Sequence, residues 1–320
     1  MGRRMAVAVP NLTDRHRDMI RRAAEKNGFE IRFLQSAEED RAYLMSSEAV
    51  FGHLPEVAAE STALRWICTP YAGADQFIGP GRFANPEAML SNSSGAYGVT
   101  IAEHTVMVLI DILRRQGEYR KIVAAREWVR DLKVRSVKGA RITLAGTGDI
   151  GQETAVRLRA FGPESISGVN RSGRNPKGLF DRICTPETWE SILPETDVLI
   201  ISLPGTKETF HLLGRRQLAL LPDGAVVINV GRGSVIDQAA LTEELKKGRL
   251  SAGLDVFERE PPEKGDPVWE TENLLITPHT AGNMTLGYTV DRIVELFLED
   301  LDRYCAGKAP ERLVNRELGY

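Results

Sequence analysis

Residues 140–151 read Ala140-Arg141-Ile142-Thr143-Leu144-Ala145-Gly146-Thr147-Gly148-Asp149-Ile150-Gly151, an apolar run that opens directly into G-x-G-x-x-G. The glycine spacing alone is a weak signal. A strand before it and a helical stretch after it, 152–160, give the spacing a physical purpose. The first glycine permits a tight turn, the second lets a pyrophosphate approach the backbone, and the third lets the helix pack close to the strand. Free amides at the helix N-terminus then face the anion. Gly146, Gly148, Asp149 and Ile150 are therefore candidate cofactor-binding residues.

Such a turn is ordinarily followed, about 20 residues on, by an acid that bonds the ribose 2′-hydroxyl. Here the next strand ends in Val169-Asn170-Arg171-Ser172-Gly173-Arg174. Asn170 takes the place of the acid, and Arg171, Ser172 and Arg174 offer a pocket for a 2′-phosphate. A carboxylate would repel that phosphate, whereas arginine pairs with it bidentately. The turn favours NADP over NAD.

Working outward, strand-like segments at 165–170, 198–203, 225–230, 253–257 and 274–277 each follow a helical or turn-rich stretch. Upstream, strand candidates at 5–9, 29–34, 49–51 and 64–69 alternate with helices. The first helix spans 13–27, with Thr13 as N-cap and Asn27-Gly28 as the stop. A long helical stretch, 100–129, separates the two series, and an amphipathic helix, 284–304, closes the chain. Strands alternating with helices predict parallel sheets covered on both faces, here a two-domain α/β protein of doubly wound sheets.

Composition agrees. A chain of 320 residues suggests about two domains. Hydrophobic residues at 42% and charged residues at 27% exclude a disordered chain or a fibre. Lys and Arg number 41 against 44 Asp and Glu, a balance that argues against nucleic acid as the main partner. Cys68, Cys184 and Cys305 are odd in number and widely spaced, which excludes a disulfide framework and a cysteine zinc site and fits a cytoplasmic protein. No apolar run approaches the length of a membrane span, so no membrane partner is expected. Glycine, at 29 residues, exceeds the roughly 22 expected at average usage, which asks where the backbone needs it.

Three further segments place chemistry after apolar strands. Val227-Ile228-Asn229-Val230-Gly231-Arg232-Gly233 supplies an arginine, and Leu254-Asp255-Val256-Phe257-Glu258-Arg259-Glu260-Pro261 supplies carboxylates. Ile276-Thr277-Pro278-His279-Thr280-Ala281-Gly282 supplies a histidine. Ligands of open α/β sheets bind beyond the carboxyl ends of the strands, so these groups are expected to converge beside the cofactor.

Together with G-T-G-D-I-G, these segments resemble the D-isomer-specific 2-hydroxyacid dehydrogenases, in that family's order and near its spacing. Tyr71-Ala72-Gly73-Ala74-Asp75, Ala102-Glu103-His104 and Leu203-Pro204-Gly205-Thr206 with Thr209 match as well, so the resemblance covers nearly the whole chain. It implies that Arg232 binds the 2-oxo acid and polarises its carbonyl, and that His279 is the acid/base. Glu260 would hold the imidazole and favour its protonated form. Histidine suits the task because it titrates near neutrality, and a planar guanidinium suits a carboxylate better than lysine does. Glu258 also follows the strand; the family's glutamate directly precedes proline, which favours Glu260.

By the same resemblance, Tyr71, Ala72 and Gly73 bind the substrate, with its carboxylate on the backbone amides of Ala72 and Gly73, and Asp255 meets the nicotinamide carboxamide. Thr100, Leu203, Pro204, Thr209, Val230, Gly231 and Gly282 line the cofactor. No metal is implied. The remaining histidines rank low: His16 on a polar helix face, His211 in a surface turn and His104 as structural. His53 is either a surface loop or a residue at the substrate mouth.

The resemblance further implies that a Rossmann-type cofactor domain, 99–285, is inserted into a flavodoxin-like substrate domain formed by 1–98 and 286–320, with the substrate in the cleft between them. A homodimer through the cofactor domain is implied, with 100–129 contributing. The expected activity is hydride transfer between NAD(P)H and a small 2-oxo/D-2-hydroxy acid, glyoxylate or hydroxypyruvate among others. The rival is a dinucleotide-sensing corepressor-like protein with little turnover, because such proteins share the fold.

Overall fold

The computed structural model describes residues 2–34 and 40–319. Chain contacts divide it into two units, Met1–Tyr97 with Asn283–Tyr320, and Gly98–Gly282. The second is thus inserted, in sequence, into the first.

The strands and helices of the first unit are β1 (Arg3–Ala8), α1 (Asp14–Lys26), β2 (Phe29–Phe33), α2 (Arg41–Met45), β3 (Ala49–Gly52), α3 (Pro55–Glu60), β4 (Trp66–Cys68) and β5 (Met89–Ser91). The second unit holds α4 (Gly98–Leu113), α5 (Gln116–Ala124), β6 (Arg141–Ala145), α6 (Asp149–Arg159), β7 (Ser165–Val169), β8 (Arg182–Cys184), β9 (Val198–Ile201), α7 (Arg215–Leu220), β10 (Val226–Asn229), α8 (Gln238–Lys246), β11 (Ser251–Leu254) and β12 (Leu274–Ile276). The chain then returns to the first unit in α9 (Gly287–Cys305).

The first sheet has the order β2-β1-β3-β4-β5 and the second β12-β11-β10-β9-β6-β7-β8, every pair parallel. The first is the flavodoxin-like order and the second the Rossmann order with one added strand. In the second sheet the chain runs outward through β6, β7 and β8 and then crosses back to β9. That reversal puts a switch point between β6 and β9, where the glycine turn leaves the sheet.

Burial explains why the central strands are continuous apolar runs. Leu199, Ile200, Val226, Val227 and Ile228 have no exposed surface. A sheet covered on both faces buries every side chain, each worth roughly 1.5–3 kcal/mol for a Val, Leu or Ile. In the first unit Phe51 stacks on Phe297 of α9 at 3.8 Å between ring centres, which fastens the returning helix to the sheet. Trp66, wholly buried, donates its indole N–H to Ser91 Oγ at 2.9 Å.

Three sequence expectations change, and two strands are added to those expected. The stretch 100–129 is not one helix. It ends at Leu113, turns through Arg115 in a left-handed conformation (φ +54°), and resumes as α5, which ends at Ala124. No residue of α5 is buried, so nothing in this chain enforces its periodicity. Strands β5 and β8 are three-residue edges too short to show a period. Helix α6 begins at Asp149 rather than 152, so the third glycine lies inside its first turn. His16, expected on a polar face, is 4% exposed. Its Nδ1 accepts from the Thr13 amide at 3.2 Å, completing a capping box, while Nε2 lies 2.6 Å from Asp291 Oδ1 on α9.

Candidate active site

At the end of β6, Gly146 has φ +106°, and a Cβ there would lie 2.7 Å from Ser202 Oγ and 2.9 Å from Ser202 O. A Cβ on Gly151 would stand 2.1 Å from the Gly146 carbonyl. Neither position admits a side chain without moving backbone. The amides of Thr147, Gly148 and Ile150 have no protein partner among the described residues. Gly148 is the N-cap of α6 and offers no side chain to cap it. A helix N-terminus with unused donors and a glycine floor is a cradle for a pyrophosphate.

At the end of the neighbouring β7, Asn170 Nδ2 donates to Thr147 Oγ1 at 2.8 Å and to the Arg174 carbonyl at 2.9 Å, while its Oδ1 accepts from Ser172 Oγ at 3.1 Å. The amide side chain therefore ties the basic turn to the glycine turn and leaves Arg171 and Arg174 exposed. A carboxylate at position 170 would lose both donations.

After β9, Leu203 is half-buried and Pro204 exposed. Thr209 Oγ1 donates to the Pro204 carbonyl at 2.6 Å and accepts from the Thr206 amide at 2.8 Å, closing that turn. After β10, the Val230 amide donates to the Ile201 carbonyl at 3.0 Å. Asn229, wholly buried at the strand end, accepts from the Gly231 amide at 3.0 Å and donates to the Arg232 carbonyl at 2.9 Å. The backbone carrying the guanidinium is thus held by a side chain in the sheet. Thr100 is buried on α4.

The next two strands carry the histidine and its partners. Glu260 Oε2 lies 2.6 Å from His279 Nδ1, and Oε1 accepts from the Phe257 amide at 2.9 Å. The rival carboxylate, Glu258, is occupied elsewhere by the Gln238 amide at 2.8 Å and His211 Nε2 at 3.0 Å. His279 has φ +52°, a left-handed backbone that costs on the order of 1–3 kcal/mol for a residue other than glycine. Surrounding bonds hold it there. Its amide donates to the Asp255 carbonyl at 2.8 Å, and Asp255, 3% exposed, takes up the rest of the turn. Asp255 Oδ1 accepts from Thr277 Oγ1 at 2.6 Å and the Thr280 amide at 2.9 Å, while Oδ2 accepts from the Ala281 amide at 3.0 Å.

Thr277 gives its proton to Asp255, so it accepts from His104 Nε2 at 3.1 Å. Burial pushes the His104 pKa down, against a smaller upward pull from Asp255. With Nδ1 of His279 engaged, Nε2 has no protein partner among the described residues and is the atom available for proton exchange. Gly282, half-buried, closes this turn.

In the first unit, residues 69–73 follow β4. Their carbonyls are pinned one after another. Thr69 O accepts from Ser93 Oγ at 3.1 Å, Pro70 O from the Tyr97 hydroxyl at 2.8 Å, Tyr71 O from the Ser93 amide at 3.0 Å and Ala72 O from Asn92 Nδ2 at 2.7 Å. The amides of Ala72 and Gly73 have no protein partner among the described residues. With the carbonyls turned inward, the loop presents two adjacent donors, which is the chemistry of a carboxylate nest.

Sequence reading missed the residues that hold these loops. Asn229 and Thr277 are polar groups at the ends of apolar strands, a signal that was available. Asn92, Ser93 and Tyr97 act across 20–27 positions of sequence and carried none. Among the described residues no cluster of His, Cys, Asp or Glu is placed to hold a metal, and no helix is long and apolar enough to cross a membrane.

The fold and this site define a class, the dinucleotide-dependent α/β oxidoreductases. The family described as D-isomer specific 2-hydroxyacid dehydrogenase, NAD binding domain, matches residues 106–281. The glyoxylate reductase of Thermococcus gammatolerans is 33% identical over 237 residues, covering 73% of this chain and 69% of that one. A D-isomer specific 2-hydroxyacid dehydrogenase family protein from Aeromonas salmonicida superposes with a TM-score of 0.86 at 27% identity, over 98% of this chain and 99% of that one. The NADPH-dependent glyoxylate/hydroxypyruvate reductase of Sinorhizobium meliloti, solved with NADP and sulfate, gives 0.81 at 25% identity over 99% and 100%. The chain belongs to the D-isomer-specific 2-hydroxyacid dehydrogenase family. It is an NAD(P)-dependent oxidoreductase of small 2-oxo and D-2-hydroxy acids.

Proposed function

We propose that this protein is an NADPH-preferring reductase of glyoxylate and hydroxypyruvate, with His279, Glu260 and Arg232 as its catalytic residues. The observation that carries the reading is the His279–Glu260 pair, 2.6 Å apart, which leaves Nε2 of the imidazole outward. When bound, the nicotinamide supplies the hydride that reaches C2 of the oxo acid. His279 Nε2 gives the proton that turns the carbonyl oxygen into a hydroxyl. Glu260 steadies the imidazolium before that transfer. Arg232 pairs with the substrate and draws charge toward the carbonyl oxygen, and the Ala72 and Gly73 amides take the carboxylate.

The glycine cradle fits a dinucleotide pyrophosphate, and Thr100, Leu203, Pro204, Thr209, Val230, Gly231, Asp255 and Gly282 are assigned to the rest of the cofactor. Arg171, Ser172 and Arg174 are assigned to a 2′-phosphate. The S. meliloti relative solved with NADP supports that preference, and its glyoxylate/hydroxypyruvate reductase activity, with the glyoxylate reductase activity of the Thermococcus relative, supports the substrates. The three free cysteines suit a cytoplasmic setting.

Rates with NADPH and NADH across glyoxylate, hydroxypyruvate and pyruvate test the reading. NADPH with either of the first two acids should be fastest, and Arg232→Ala should remove turnover while the fold persists. Undiminished turnover in that variant rejects the assignment.

We also propose a homodimer through the inserted unit. Trp128 is 86% exposed and Val123 66% exposed, both in or just beyond α5, whose residues are nowhere buried in this chain. Large apolar side chains left open on one segment mark an association surface. Light scattering should give twice the chain mass, and Trp128→Glu should lower it.

A further inference from the structure

Residue 53 directly follows β3, and residues 69–73 follow β4 beside it, in register through Phe51 and Cys68. The two loops therefore leave the same edge of the first sheet. His53 packs edge-on against Tyr71 at 5.1 Å between ring centres and against Phe77 at 5.1 Å, so its ring is fixed against the residue that precedes the carboxylate nest.

Its tautomer is fixed as well. His53 Nδ1 lies 2.9 Å from Thr69 Oγ1, and Thr69 has no exposed surface. A buried hydroxyl needs an acceptor for its proton. The other neighbour of Thr69 Oγ1 is the Tyr71 amide, at 3.4 Å, which is itself a donor. The hydroxyl must therefore donate to Nδ1, which leaves the proton of the neutral imidazole on Nε2. That N–H has no protein partner among the described residues.

We propose that His53 is a specificity-determining residue, whose Nε2–H donates to a hydroxyl oxygen on C3 of the oxo acid. The inference rests on the reductase reading above. With its carboxylate seated on the Ala72 and Gly73 amides, an oxo acid would turn the C3 substituent of its C2 carbon toward the ring held on Tyr71. In hydroxypyruvate that substituent is a hydroxymethyl group, in pyruvate a methyl group and in glyoxylate a hydrogen. A site built to hydrogen-bond a hydroxyl discriminates strongly against a substrate that lacks it.

The test compares kcat/KM for the three acids in the wild type, His53→Ala and His53→Gln, with NADPH. In His53→Ala the value for hydroxypyruvate should fall by about tenfold or more, mainly through KM, while glyoxylate changes little. His53→Gln, which keeps an N–H donor, should recover part of the loss. Glyoxylate also reports folding of the variants. An equal fall for all three acids, or no change for hydroxypyruvate, overturns the proposal while leaving the reductase reading intact. A wild type that reduces none of the acids overturns both.

Discussion

The carboxylate of Glu260 is divided between two donors: Oε1 holds the Phe257 amide at 2.9 Å, and Oε2 lies 2.6 Å from Nδ1 of His279. The first bond fixes the carboxylate and the second fixes the ring, so the tautomer and direction of the imidazole follow from the loop after β11. Glu260→Gln keeps the size of the side chain and loses the charge that faces the ring. Its kcat for reduction should fall about 10²-fold or more. Undiminished kcat in this variant would count against the assigned role.

Cofactor choice turns on Asn170. In Asn170→Asp the donations to Thr147 and Arg174 disappear and a negative charge enters beside Arg171 and Arg174. The NADPH-to-NADH ratio of kcat/KM should fall about tenfold or more, the effect of one lost charge-assisted contact. An unchanged ratio removes the 2′-phosphate assignment from this turn.

Gly151 faces the Gly146 carbonyl so closely that Gly151→Ala must push the helix start away from the strand, since its Cβ would stand 2.1 Å from that oxygen. The expected result is at least a tenfold weaker dinucleotide, read from quenching of protein fluorescence, together with a lower unfolding temperature. Gly148→Ala is the informative comparison. Its Cβ would meet nothing within 4 Å, so stability should be kept while the approach of the pyrophosphate is blocked.

Acid stability should carry the mark of His104. Burial holds its pKa below the ordinary histidine value, against the opposing pull of Asp255. The unfolded chain therefore takes up this proton first. The stabilisation is complete above about 6.5, the unfolded value, and is lost as pH falls through the lower folded value. In His104→Gln, the unfolding temperature should drop less steeply between pH 7 and 5 than in the wild type. Parallel slopes would mean that the proton on His104 is not coupled to folding.

The glycine turn, the apolar strands of the second unit and the presence of an arginine, carboxylates and a histidine just after those strands were legible because each is local. A period of two or 3.6, a glycine at fixed spacing or a charge just after a strand needs no knowledge of distant residues. The choice between Glu258 and Glu260 was not local. Both follow β11, and it is the placement of Gln238 and His211 that occupies the first and leaves the second for His279. The break at Arg115 was hidden for a related reason, because the residues on either side are good helix formers and the turn is fixed by packing, as where the Arg135 amide returns to the Leu113 carbonyl at 2.8 Å.

The sequence by itself determined two wound sheets, a dinucleotide turn and the residue types needed for proton and hydride transfer, since hydrophobic period and glycine geometry are properties of neighbouring residues. Only the tertiary structure decided which groups are held and which are left to act. Asp255 gathers Thr277, Thr280 and Ala281 around a left-handed His279, and Asn92, Ser93 and Tyr97 turn four carbonyls of the 69–73 loop inward. Those bonds join residues about 20 positions apart, and a hydrogen bond forms only where folding has already brought its two ends within about 3 Å.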